Sequence, residues 1–455
     1  KHLSFVRRGI KKPPHVIALW LWRKVSERWA SNRLPRLARS IDARKVAKSL
    51  KANSENSVFD KALKNSPFPV FKFNRSQLFE AIDEPIRTII FDRANKAMRR
   101  DVSFLGSETV TLGQPIDWAT DFKTGQSWPM DMSRSLNVLD LDRNSDIKIP
   151  WELSRLQWLL PVGQAFILEQ DEKYAVFARG IINEWVDANP VCKGPNWICA
   201  MDVALRGISI CWLIQAFAAS PAWQDNEFRN RLVVQLYLHC EFIIDNLEWS
   251  DVAGNHLTSD LAGLVIIGLT LGGNGKAAQW IEKGSSLLEE QLPLQVPDDG
   301  VCREASVPYH RFVVELFLLP ALALREDGRS VSDAYWQRLT KMTEFIEAYS
   351  GQEGVIPMWG DADDGRALPL GTQALNDHRY VIETLQSLSN PPSKPVYDET
   401  LWWLGIGDGE PKKQIIPPSK FFIDAGVYIM RGRDNLVFAD FGPVGMAGRG
   451  GHGHN

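Results

Sequence analysis

The stretch FRNRLVVQLYLHCEFI, residues 228–243, places apolar side chains at the three- and four-residue spacing of an α-helix. The same spacing recurs along the chain from about residue 150. It is seen at Phe228, Leu232, Leu236, Cys240 and Ile243, at Leu153, Leu156 and Leu160, at Leu257, Leu261 and Leu264, and within 306–325 and 332–349. Several breaks between these segments contain Pro or Gly, which interrupt helices. The pattern therefore predicts antiparallel helix pairs arranged in a bundle or a ring.

The pattern changes near residue 390. The stretch Asn390-Pro391-Pro392-Ser393-Lys394-Pro395 cannot lie inside a helix. Beyond it, the apolar stretches 421–431 and 436–441 flank the polar residues 432–435, which predicts a β-hairpin. We therefore expect a helical domain followed by the start of a β domain.

Length and composition limit the class of protein. A chain of 455 residues is too long for one ordinary core, and 44% apolar with 24% charged residues indicates a folded, soluble protein. The net charge of −3 argues against a nucleic-acid partner. The five cysteines form no metal-binding spacing and no disulfide framework. Cys211 and Cys240 lie in apolar helical segments, so we expect these two to be core residues.

The first forty residues are basic and contain the apolar run 16–22. Seven residues are too few to cross a bilayer, which needs about 20, so no transmembrane segment is predicted. An amphipathic helix packed on the body of the protein is favoured over a helix lying on a membrane surface.

Three separated fragments carry residues suited to proton transfer. In the first, Asn255-His256 precedes an apolar helix, where free N–H groups favour an anion. The alternative is that Asn255 only caps the helix. In the second, Tyr309 lies between Arg303 and Arg311, whose charges would stabilise a phenolate. The alternative is a helix start with the tyrosine packed inward.

The third fragment is the glycine-rich run Gly450-Gly451-His452-Gly453-His454-Asn455. Glycines let the backbone approach a ligand closely, and a His-x-His pair suits a metal ion. A flexible tail is the alternative. The acidic stretch 361–365 is interpreted as a turn, because the twelfth position of a calcium loop starting at Asp361 would be Thr372 instead of Glu.

Taken in order, these pieces resemble the heparinase II/III family of bacterial polysaccharide lyases, which includes relatives that act on alginate. The resemblance covers roughly residues 120–455. The segments that carry it are Asp146-Ile147-Lys148, Trp151-Glu152-Leu153-Ser154-Arg155, Asn196-Trp197, Met201-Asp202-Val203-Ala204-Leu205-Arg206, Asn255-His256, Glu304-Ala305-Ser306, Tyr309-His310, Gly360-Asp361-Ala362-Asp363-Asp364-Gly365 and Gly451-His452-Gly453-His454-Asn455.

The resemblance implies a mainly α fold: an incomplete (α/α) toroid followed by the start of an antiparallel β-sandwich. The basic N-terminal stretch is expected to be a helical extension at 1–115. The resemblance implies the toroid at 116–400 and a truncated β-sandwich at 401–455. It also implies a protein of the bacterial cell envelope, with the periplasm favoured over the cytoplasm.

The implied reaction is β-elimination at a uronic acid of an acidic polysaccharide. By resemblance, Asn255 and His256 neutralise the substrate carboxylate, while Tyr309 and His452 supply the base and the acid. His454 matches a position that binds a metal, so a structural zinc or calcium ion is expected, with its other ligands beyond residue 455. Weaker matches that would hold the anionic chain are Trp197, Arg206, Arg303 and His310. A structural ion-pair cluster is expected of Lys148, Glu152 and Arg155.

Two other functions fit the residues. Helical toroids also carry glycoside hydrolases, for which Asp202 and Asp361 would be the paired carboxylates. The third hypothesis is a sugar-binding protein without turnover. The products separate them, since only a lyase leaves a C4–C5 double bond that absorbs ultraviolet light.

Overall fold

The computed structural model describes residues 33–453, except 65, 141, 251, 352–353, 364, 411–416, 433–434 and 449. The apolar run 16–22 and His454 lie outside the described residues.

The described chain is mainly helical. After a helical segment at 33–40, the α-helices are α1 (Ala43–Ser49), α2 (Glu55–Lys64), α3 (Arg75–Ala81), α4 (Glu84–Met98), α5 (Lys148–Ser154), α6 (Leu160–Glu169), α7 (Glu172–Ala188), α8 (Ala200–Ala216), α9 (Asn226–Asp245), α10 (Asn255–Thr270), α11 (Lys276–Gln295), α12 (Val307–Glu326), α13 (Asp333–Tyr349), α14 (Arg379–Gln386), α15 (Asp398–Leu404) and α16 (Gly445–Gly448). The strands are β1 (Asp101–Val102), β2 (Val110–Thr111), β3 (Thr120–Asp121), β4 (Gln126–Ser127), β5 (Lys420–Phe422), β6 (Val427–Arg431) and β7 (Leu436–Asp440).

Helix α10 lies at the centre of the helical part. It packs against α8, α9, α11 and α12, and all of its residues except His256 are buried. A helix that is apolar on all sides, as this one is after its first turn, is stable only inside a protein. Only the N-terminal end of α10 therefore reaches solvent.

The N-terminal helices share the core of the later ones. Val46, Phe59 and Ile90 belong to the same apolar cluster as α10, with α2 against α9 and α4 against α6. The described part of the predicted extension is thus helical and packs on the body. Its boundary at 115 stays a prediction, and the strand pairs β1–β2 and β3–β4 were not expected.

The predicted helix starts at 306 and 332 are confirmed. Ser306 and Ser332 precede α12 and α13, and their hydroxyls accept hydrogen bonds from the amides of Tyr309 and Tyr335 at 3.3 and 3.2 Å. Serine is a preferred residue at this position because it satisfies an N–H group that the helix leaves unpaired.

Helix α12 is long and apolar enough to cross a membrane, but 94% of the most apolar window within it is buried inside the protein. Its apolar surface is therefore in contact with protein. The five cysteines are buried free thiols, which confirms the core role predicted for Cys211 and Cys240.

The β-hairpin is confirmed as β6 and β7, which pair antiparallel with Arg431 opposite Leu436. The stretch 421–431 does not form one strand, because a turn before Val427 separates β5 from β6. The result is a three-stranded antiparallel sheet in the order β5-β6-β7. Its buried face includes Phe422, whose ring packs 4.9 Å from that of Phe345 in α13.

Candidate active site

The N-terminal end of α10 is held by a buried carboxylate. Asn255 is the first residue of the helix and is 3% exposed, and its side-chain Nδ2 donates to Oε2 of Glu304 at 2.7 Å. Its backbone amide donates to the other carboxylate oxygen. The cap position belongs to Gly254, where a Cβ would lie 2.7 Å from Glu304 Oε1. The capping role considered for Asn255 is therefore wrong.

Glu304 connects Asn255 to the C-terminal loop. It is 2% exposed, and its Oε2 lies 3.7 Å from Nε2 of His452. Burial raises the pKa of Glu304 to about 7, although the two hydrogen bonds from Asn255 favour its charged form. Near neutral pH this carboxyl group therefore exchanges a proton.

The rings of Tyr309 and His452 are stacked, with centroids 3.5 Å apart and an angle of 10° between their planes. Tyr309 lies in the first turn of α12, and its hydroxyl donates to Oδ2 of Asp363. Burial, together with the charge of Asp363, raises the pKa of Tyr309 well above its ordinary value. The phenol is thus held in its protonated form.

The predicted stabilisation of a phenolate by two arginines is wrong. Arg311 is 1% exposed, and its Nη1 lies 3.2 Å from Oε1 of Glu315 in the core. Arg303 is exposed, and its Nε donates to the carbonyl of Leu294 at 2.9 Å. A carboxylate, Asp363, occupies the place next to the phenol.

His452 is positioned by the segment 360–361. The amide of Asp361 donates to the carbonyl of His452 at 2.8 Å, and His452 Nδ1 lies 3.4 Å from Asp361 Oδ2. Gly360 has φ of +73°, and a Cβ on it would lie 2.7 Å from the carbonyl of His452. Burial lowers the pKa of His452 despite the charges of Asp361 and Asp363, so its imidazole is neutral at pH 7.

Asp363 is an anion. Burial alone would raise its pKa, but hydrogen bonds from Tyr309 and from the amide of Gly365, with the charges of Arg155 and Lys148, lower it below its ordinary value. Nζ of Lys148 lies 4.0 Å from Asp363 Oδ2. Lys148 thus faces the site, whereas Glu152 and Arg155 form the predicted ion pair.

His256 stands apart from the stacked pair. Its side chain is 48% exposed, and its Nδ1 lies 3.1 Å from Oε2 of Glu248 and 3.8 Å from Sγ of Cys199. Burial would lower the pKa of His256, but the hydrogen bond and charge of Glu248 raise it. Burial raises the pKa of the Cys199 thiol well above its ordinary value.

A cavity of about 360 Å³ opens beside Asp363. Its lining includes Met358, Trp359, Leu375 and Asn376. The volume suits a sugar residue, and the mixture of apolar and polar lining is typical of a ligand pocket.

Three of the four side chains predicted to hold a polysaccharide lie in the core. Trp197, Arg206 and His310 are 1%, 0% and 0% exposed. Arg206 Nε donates to His239 Nε2 at 3.0 Å and its guanidinium lies over Trp185, while the two ring nitrogens of His310 bond the amide of Cys302 and the carbonyl of Met342. The prediction is wrong for these three, because they cannot touch a polymer. For Arg303 it stays a prediction.

The structure also contradicts the hydrolase hypothesis, because one of its two proposed catalytic carboxylates is buried. Asp202 is 1% exposed, and its Oδ1 accepts from Nε of Arg155 at 2.7 Å. A buried carboxylate in an ion pair cannot serve as the second catalytic acid.

The residues not predicted for the lyase site are Glu304, Asp361, Asp363 and Glu248, of which Asp361 was named only for the hydrolase hypothesis. Three of them lie in the segments that carry the resemblance, so their position beside Tyr309 and Gly360 was the available signal. Glu248 follows α9 in an irregular segment, and nothing in its sequence surroundings marked it.

The family model described as heparinase II/III N-terminus matches residues 42–376. A heparin-sulfate lyase of Bacteroides thetaiotaomicron is 24% identical over 297 residues, covering 62% of this chain and 40% of the relative. One of Bacteroides stercoris is 24% identical over 272 residues, covering 55% and 37%.

Two solved structures share the fold. A heparinase III structure superposes with a TM-score of 0.54 at 19% identity, covering 86% of this chain and 58% of that one. A heparan sulfate lyase of Pedobacter heparinus gives 0.53 at 19% identity, covering 86% and 56%. The chain spans about two fifths of the length of the curated relatives it matches. With nearly three quarters of its residues matched by the family model, the chain belongs to the heparinase II/III family.

Proposed function

We propose that this chain is the helical part of a polysaccharide lyase that cleaves a uronic-acid-containing acidic polysaccharide by β-elimination. The observation that carries the proposal is the Tyr309–His452 stack, joined through Glu304 to Asn255. Relatives named heparin-sulfate lyases support it.

The difficulty of this reaction is the weak acidity of the C5 proton beside an ionised carboxylate. A donor aimed at that carboxylate stabilises the charge that develops during proton removal. An amide nitrogen carries two hydrogens, and Glu304 takes one from Asn255 Nδ2, which leaves the second for the substrate. His256 is half-exposed, and the hydrogen bond and charge of Glu248 raise its pKa, which favours a protonated imidazole as a second donor.

The two ring residues have opposite proton affinities. His452 is neutral, so its imidazole is the proton acceptor that removes the C5 proton. Tyr309 keeps its proton, so its hydroxyl is the donor that protonates the leaving glycosidic oxygen. In this assignment the hydroxyl exchanges its hydrogen bond with Asp363 for one with the substrate oxygen.

We also propose that the helices form an incomplete (α/α) toroid and that β5–β7 begin an antiparallel β-sandwich. This is supported by the likeness to the two lyase structures. The metal ion expected at His454 and the cell-envelope location stay predictions.

The test is a screen of the complete protein on a panel of uronic-acid polymers. We expect products that absorb ultraviolet light through the new C4–C5 double bond. New reducing ends without that absorption would replace the proposal by a hydrolase. Binding without any product would replace it by a sugar-binding protein.

A further inference from the structure

We propose that Cys199, Glu248 and His256 form a binding site for one divalent transition-metal ion of the zinc class. The three residues come from separate parts of the chain. Cys199 immediately precedes α8, Glu248 follows α9, and His256 is the second residue of α10. One thiol, one carboxylate and one imidazole make a donor set typical of zinc.

The spacing of the three donors fits a single ion. Glu248 Oε2 lies 3.1 Å from His256 Nδ1 and 3.5 Å from Cys199 Sγ, and the sulfur lies 3.8 Å from the imidazole nitrogen. Tetrahedral zinc with bonds of about 2.0 to 2.3 Å separates its ligands by about 3.3 to 3.6 Å. An ion can therefore enter with shifts of a few tenths of an ångström.

Two buried carboxyl groups lie beside the three donors. Asp202 and Asp260 are 1% and 0% exposed, and each has one carboxylate oxygen without a hydrogen-bond partner in the described part of the chain. Asp260 also accepts the backbone amide of Glu248 at 2.8 Å, which orients that residue. Residues that orient metal ligands in this way strengthen binding.

The half-exposed His256 leaves one side of the cluster open to solvent. Three protein ligands and an open position are the arrangement that lets a metal take an exogenous ligand. An ion there would place positive charge one residue from Asn255. With an ion bound, His256 is a neutral ligand, and the ion takes the place of the protonated imidazole as the positive charge beside Asn255. A metal titration tests the site without any polysaccharide, so its failure is distinguishable from failure of the proposed function.

The experiment is a titration of the complete, metal-free protein with Co²⁺, which reports a cysteine ligand through a thiolate-to-cobalt charge-transfer band in the near ultraviolet. We expect the band to saturate at one equivalent and to be displaced by Zn²⁺. Cys199→Ser should abolish the band, and the matched control Cys192→Ser, a buried cysteine outside the cluster, should retain it. His256→Ala should weaken binding by at least ~10-fold.

Each of three results would contradict the proposed metal site. The wild type could show no band that saturates at one equivalent, Cys199→Ser could keep the band unchanged, or Cys192→Ser could lose the band as fully as Cys199→Ser. Because Cys199 is buried, its variant must also keep the wild-type unfolding midpoint within a few degrees. If it does not, His256→Ala decides, since that side chain is half-exposed and its removal spares the core. Unweakened metal binding in that variant would refute the proposal.

Discussion

Replacing Tyr309 by Phe separates proton donation from packing at the stacked pair. Phenylalanine keeps the ring that lies 3.5 Å from that of His452 and removes only the hydroxyl that bonds Asp363. A hydrogen bond to a charged group contributes about 1.5–3 kcal/mol. The Asp363 side chain is 25% exposed and keeps the amide of Gly365 at 3.0 Å, so water replaces part of the loss. We expect a stability cost of about 1 kcal/mol.

The kinetic effect should be much larger than this stability cost. Loss of a positioned proton donor lowers the rate by about 10²- to 10⁴-fold, which corresponds to about 3–5 kcal/mol of barrier. Substrate affinity should stay within about tenfold, or about 1.4 kcal/mol, because the ring and the carboxylate-binding groups remain. The assay follows the ultraviolet absorption of the unsaturated product, with kcat and KM determined separately and the unfolding midpoint measured alongside.

The matched control is Tyr335→Phe. That buried hydroxyl donates to the carbonyl of Phe317 at 2.8 Å in the core. Its loss should cost about 1 kcal/mol of stability and leave kcat unchanged. If Tyr309→Phe keeps more than about a tenth of the wild-type kcat, or if both variants lose activity only in proportion to stability, the role of Tyr309 as proton donor is refuted.

Three further changes test the surroundings of the pair. Burial raises the pKa of Glu304 from 4.5 to about 7, so its contribution to stability is complete below pH 4.5 and is lost as the pH rises through 7. Glu304→Gln should therefore make the unfolding midpoint less dependent on pH over that range. A pH dependence equal to that of the wild type would contradict the shift. Gly360→Ala should lower the free energy of unfolding by about 1–3 kcal/mol in denaturant and should also lower activity. The reason is that the new Cβ, at a residue with positive φ, would lie 2.5 Å from the carbonyl of Ala305. Wild-type stability and activity in this variant would show that Gly360 does not position the loop. Glu315→Gln should lower the free energy of unfolding by about 3–5 kcal/mol, because it leaves the charges of Arg311 and Arg366 without their shared carboxylate. A loss below about 1 kcal/mol would refute that pairing.

The sequence predicted the helices well where a single physical rule decides them. Apolar spacing located α9, α10, α12 and α13. The short strands could not be predicted from the sequence, because strands of two residues, such as β1 and β2, are too short to show an alternating pattern. The division between β5 and β6 was missed for the same reason.

The site residues were predictable in type but not in environment. For Trp197 and Arg206, the surrounding sequence does not indicate whether the side chain is buried in the core or exposed to a ligand. Arg206 is stabilised in the core by stacking on Trp185 and by His239, a residue 33 positions away. Burial of a guanidinium requires partners from distant segments, and only the fold brings these together. The same holds for Glu304, whose importance arises from its contact with Asn255 across 49 residues.

The charges at the site bear on how an acidic polymer would bind. Glu304, Asp361 and Asp363 all lie within hydrogen-bonding or ion-pairing reach of the stacked pair, and a polyanion is repelled by such a set unless cations intervene. Arg206 and Arg311 do not supply them, because both are buried in the core. Among the described residues, exposed basic side chains near the site are those of Lys148, His256 and Arg303. The carboxylates hold Asn255, Tyr309 and His452 in position. In the proposed reaction, recognition of the substrate charge would then fall to the amide of Asn255 and to those basic side chains.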